Sequence, residues 1–70
     1  MIYVFKTSVS NKKAVLKLKP LLNKIINEFA WNFDLEDCDN ILRLDTCARC
    51  STAVVQLLWD KGFECIELDN

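Results

Sequence analysis

Seventy residues, half of them hydrophobic, 27% charged and with a formal net charge of −1, describe one folded domain spanning 1–70 and exclude a disordered chain. A chain this short buries only about 60% of the surface its unfolded form exposes, so a large internal cleft is not expected. With no histidine there is no imidazole base, and a single glycine rules out a phosphate-cradling P-loop or a dinucleotide fingerprint, so the sequence reads as a non-enzyme.

The first residues, Met1-Ile2-Tyr3-Val4-Phe5-Lys6, carry neither the positive leader nor the long apolar stretch of a secretory signal. No apolar run reaches the roughly 20 residues of a membrane span. The expectation is a cytoplasmic, membrane-free protein whose Cys38, Cys47, Cys50 and Cys65 are thiols, since structural disulfides are rare in a reducing compartment. Charge is unevenly spread. Six lysines and no acid lie between Met1 and Asn27, whereas the rest holds ten acids against Arg43, Arg49 and Lys61. Such polarity is the ordinary consequence of a lysine-rich solvated helix face followed by acidic turns.

In chain order, Ile2 to Val9 is rich in β-branched and aromatic residues and reads as a first strand. Ser10 is the expected N-cap of a first helix, in which Val15, Leu18, Leu22 and Ile25 recur at three- and four-residue steps to about Ile26. Pro20 removes a backbone donor inside it, predicting a kink or two short pieces. Phe29, Trp31, Phe33 and Leu35 alternate with polar partners as a second strand buried on one face. Glu36-Asp37-Cys38-Asp39-Asn40 reads as a polar turn, and Ile41 to Asp45 as a third strand completing a hairpin. Thr46 or Cys47 starts a second helix with Cys50, Ala53, Val54, Leu57 and Leu58 as its apolar stripe and Gly62 suited to a left-handed end. Phe63 to Leu68 is the fourth strand.

The order strand, helix, strand occurs twice, which defines the fold class: α+β, a ferredoxin-like βαββαβ sandwich with a four-stranded antiparallel sheet in order 4-1-3-2 and two helices on one face. The first strand is apolar on both sides, so Tyr3 and Phe5 are candidates for the open sheet face, where they would offer a surface to a protein partner or a homodimer.

One local pattern carries chemistry. Cys47-Ala48-Arg49-Cys50 falls where a strand ends and a helix begins. Unpaired amides and the positive end of the helix dipole stabilise a thiolate there, with Arg49 adding charge nearby. Two sulfurs across a helix's first turn can converge on one soft ion, Cu(I) or Zn(II). Cys38 and Cys65 have no partner at ligand spacing and read as ordinary residues. Asp34, Glu36, Asp37 and Asp39 crowd one turn but lack the glycine and distal bidentate Glu of a calcium loop.

The stretch Leu44-Asp45-Thr46-Cys47-Ala48-Arg49-Cys50 resembles the Gly-Met-x-Cys-x-x-Cys loop of heavy-metal-associated domains, which are βαββαβ copper chaperones and transporter modules. The resemblance implies that Cys47 and Cys50 are metal ligands, that Cu(I) or a similar ion is the cargo, and that a partner with a similar site receives it. Here the pair follows strand 3, where the family has it after strand 1, and Leu44 and Asp45 stand in place of Gly and Met.

Other readings stay open beside it. The chain could be a non-catalytic interaction or dimerisation module with incidental cysteines, Cys50 then being simply core. A thiol redox protein is a third reading, although thioredoxin-like folds place C-x-x-C in the first βα unit opposite a cis-proline, and the single proline here is Pro20. Nucleic acid is disfavoured, because the third strand has no aromatic for base stacking and the calculated pI is near 5.2.

Overall fold

The computed structural model describes residues 1–36 and 38–68. The elements are β1 (Ile2–Thr7), α1 (Lys12–Ile25), β2 (Trp31–Asp34), β3 (Ile41–Asp45), α2 (Ala48–Asp60) and β4 (Cys65–Glu67). The sheet order is β2-β3-β1-β4, with antiparallel pairing at each step. This is the expected ferredoxin-like arrangement, read from its other edge. Two βαβ units interleave, so β1 and β3, which open the two units, lie side by side in the centre.

Register decides which side chains meet. Tyr3 lies across from Leu44 and Phe5 across from Leu42, while β2 sets Trp31 against Leu44 and Phe33 against Leu42. All of these face the helices. Phe5, Leu42 and Leu44 join Leu18 and Leu22 of α1, Val54 and Leu58 of α2, and Cys65 of β4 in one buried core. Each fully buried Leu or Phe contributes about 1.5–3 kcal/mol relative to exposure.

This register corrects the expectation for Tyr3 and Phe5. They lie beneath the helices, Phe5 in the core and Tyr3 packed against it, with their rings stacked 6.4 Å apart. The open face instead carries Ile2, Val4 and Lys6 of β1 with Asn32, Asp34, Ile41, Arg43 and Ile66, tied by the ion pairs Lys6–Asp39 at 3.6 Å and Arg43–Asp34 at 3.8 Å. Both sides of β1 are apolar, so alternation alone could not assign them. The phase is set by the strand's neighbours.

The helices differ from expectation in detail. The N-cap of α1 is Asn11, one residue later than Ser10; its Oδ1 accepts from Ala14 N–H at 2.8 Å. Pro20 sits on the exposed side of a helix that runs through it without division, because Leu18 and Leu22 are anchored in the core on either side. β2 is shorter than the alternation of Phe29 to Leu35 suggested. Asn27 closes a turn first, its Oδ1 accepting from Phe29 N–H at 2.8 Å and its carbonyl from Ala30 N–H at 2.9 Å, which leaves Phe29 89% exposed. In α2 the inner face is Cys50, Ser51, Val54, Leu57 and Leu58, and Ala53 faces solvent. α2 ends as Gly62 predicts: at φ 87° it lets its own N–H reach Trp59 O and that of Phe63 reach Leu58 O, closing the last carbonyls. In the expected polar turn, Asp37 lies outside the described residues; Asn40, at φ 50°, supplies the left-handed step into β3.

Candidate thiol site at the start of the second helix

β3 delivers the chain to the site along a fixed path. Asp45 N–H donates to Ala30 O at 2.8 Å, and Thr46 N–H donates to Met1 O at 3.0 Å. Cys47 follows in extended conformation as the N-cap of α2, its carbonyl accepting from Ser51 N–H at 3.0 Å. The pairing of Cys47 as cap and Cys50 one turn on then follows from helix geometry.

The two sulfurs occupy different surroundings. Cys47 is exposed, whereas Cys50 is half-buried against the core. A Ser, Thr, Asn or Asp cap would satisfy one of the helix's first amides, but the Cys47 side chain makes no capping hydrogen bond. Those amides are available to a thiolate. The backbone N–H of Cys50 foremost, then the Cys50 thiol, and to a smaller extent the Arg49 backbone N–H hold the Cys47 thiol below its ordinary value of 9.0 against a small cost of desolvation. Arg49 therefore acts through its main chain, a contribution that residue type alone does not reveal.

The other cysteines stay apart from this pair. Cys38 is exposed in the β2–β3 turn, and Cys65 is buried on β4 opposite Thr7. Burial pushes the Cys65 thiol up to about 12, which makes it an inert core residue. Among the described residues no three or more Cys, Asp or Glu side chains gather where they could hold a metal ion. The donor set at α2 is two thiols, one of them with enhanced thiolate character. It falls short of the four ligands of a closed zinc site and suits an ion that accepts two soft sulfurs, as Cu(I) does. Comparisons with protein-family models, with curated proteins and with solved structures return no match. Among the described residues no helix is long and apolar enough to cross a membrane.

Proposed function

We propose that this chain is a small non-catalytic module of the reducing cytoplasm that takes up a soft monovalent metal ion, Cu(I), through Cys47 and Cys50 and yields it to a partner protein. The supporting observation is the exposed, uncapped Cys47 thiol, whose pKa is lowered by the Cys50 amide and the Cys50 thiol beside it. An N-cap sulfur at the surface is open to a second protein's thiolates, so an ion held by two sulfurs there can pass by ligand exchange. Cys50 packs against the core while Cys47 stands at the surface. The resemblance of the Cys47–Cys50 loop to heavy-metal-associated domains points the same way.

A competition titration of the reduced protein with Cu(I) and with Zn(II), against a chelator of known affinity, tests this reading. One Cu(I) per chain is expected, lost in the Cys47→Ser, Cys50→Ser double variant, with Zn(II) held far more weakly. Because ligation requires the thiolate, Cu(I) affinity should fall as pH is lowered through the depressed Cys47 value. Binding that survives in the double variant sinks the proposal.

A further inference from the structure

The two edges of the sheet are not alike. β4 is three residues long and flanked by the exposed acids Glu64 and Glu67, which discourage another strand from adding to it. β2 carries its acids, Asp34 and the following Glu36, at one end, where both border the space beside α1, while Trp31 and Phe33 face the helices. Between β2 and the first half of α1 runs a groove of about 500 Å³, floored by Val15, Trp31 and Phe33 and walled by Lys12, Leu16 and Leu35. Leu16, 66% exposed, is among the most exposed large apolar side chains of the molecule and walls this groove.

The backbone there has unspent hydrogen-bonding capacity. Asp45 N–H donates to Ala30 O, and β2 continues in the register Asn32–Arg43 and Asp34–Ile41. Alternation in an antiparallel ladder then points the C=O of Ala30 and the N–H and C=O of Asn32 and Asp34 at β3, and those of Trp31, Phe33 and the following Leu35 away from it, at the open edge. The same odd-numbered residues turn their side chains toward the groove.

We infer that β2 pairs antiparallel with β2 of a second copy of this chain about a two-fold axis at Phe33, joining two four-stranded sheets into one and covering the α1 groove. Charge and side-chain pattern together make β2 complementary to its own copy and select this register. Two-fold registers that bring edge-facing groups together centre on Asn32, Phe33 or Asp34. Centring on Asp34 sets two carboxylates directly opposite each other, which is unfavourable. Centring on Asn32 sets Leu35 against Phe29, which the Asn27 turn holds outside β2. Centring on Phe33 places Phe33 against its own copy, Trp31 against Leu35 of the second copy, and on the open face Asn32 against Asp34 of the second copy, with no like charges opposed. An interface on one face of both copies is the isologous form that closes as a dimer.

Sedimentation velocity of the fully reduced 8.1 kDa chain over a range of concentrations tests the inference, reductant removing any disulfide link through Cys38 or Cys47. A reversible species of twice the chain mass is expected, abolished by L16K. The register has its own signature. N32D opposes Asp34 of the second copy twice per dimer and should weaken association about tenfold, whereas N32K should tighten it by a similar factor. Within one chain Asn32 lies across from Arg43, so thermal stability of the monomer should move in the reverse sense, N32D upward and N32K downward, separating association from folding. A chain that stays monomeric to about 1 mM, or a dimer indifferent to both L16K and the Asn32 variants, overturns the inference.

Discussion

The molecule turns from strand into helix twice, and the two corners are put together differently. After β1, the chain is held on all sides. Thr7 is buried, its Oγ1 donating to Asn40 O at 2.7 Å and accepting from Val9 N–H at 3.2 Å. Ser8 exchanges hydrogen bonds with Glu64, Val9 is core, and Asn11 caps α1. After β3, two backbone bonds guide Asp45 and Thr46, and the cap of α2 is a sulfur that satisfies none of the helix amides. Even the thiols divide: Cys65, opposite Thr7 at the first corner, is driven toward neutrality, and Cys47 at the second toward charge. One corner uses its polar groups to hold the fold, while the other leaves its first helix amides without a side-chain cap.

The largest expected difference between the corners appears in alkali. The folded Cys65 thiol ionises near 12 and an unfolded one near 9, so the unfolded chain sheds a proton that the folded chain keeps. Stability is intact below about pH 9 and then falls by about 1.4 kcal/mol per pH unit up to the folded value. Denaturant unfolding of the reduced protein between pH 8 and 11 should show that slope relative to Cys65→Val; parallel curves would mean Cys65 is not sealed in the core. Next in size, Thr7→Val strands the Asn40 carbonyl and the Val9 amide and should cost about 2 kcal/mol in the same experiment at neutral pH. The smallest effects make the sharpest contrast, because they should differ in sign. Asn11→Ala removes a working cap and should cost about 1 kcal/mol, whereas Cys47→Asp supplies the missing one and should add up to about 1 kcal/mol. In a chain of this size the pair should bracket the parent by several degrees in Tm on either side. Equal losses from both would show that the Cys47 corner is already satisfied.

Much of this was legible in the sequence. β3 and the start of α2 stand where the pattern puts them, and the doubled strand-helix-strand order gives the sheet topology. Boundaries moved where a short polar side chain captured a nearby amide: Asn11 in place of Ser10, and Asn27 turning the chain before Phe29 could join β2. Such captures depend on local backbone angles that residue type does not fix. The facing of β1 was not legible, since Ile2, Val4, Tyr3 and Phe5 would suit either side and only the pairing with β3 separates them. At the thiol site the positions of Cys47 and Cys50 could be read, but the part played by main-chain amides could not.

The place of β1 has a consequence for how the protein is made. Its hydrogen-bonding partners are β3, some forty residues later, and β4 at the far end of the chain. As the domain is synthesised, β1 is made before both of its partners, and its β4 edge stays unpaired until Leu68, whose N–H donates to Val4 O at 2.9 Å, has been added. α1, 14 residues long, is only marginal as a helix by itself in water and cannot shelter it alone. Completion of the sheet must therefore wait for β4, and the nascent domain is exposed to aggregation and to chaperones until that strand appears.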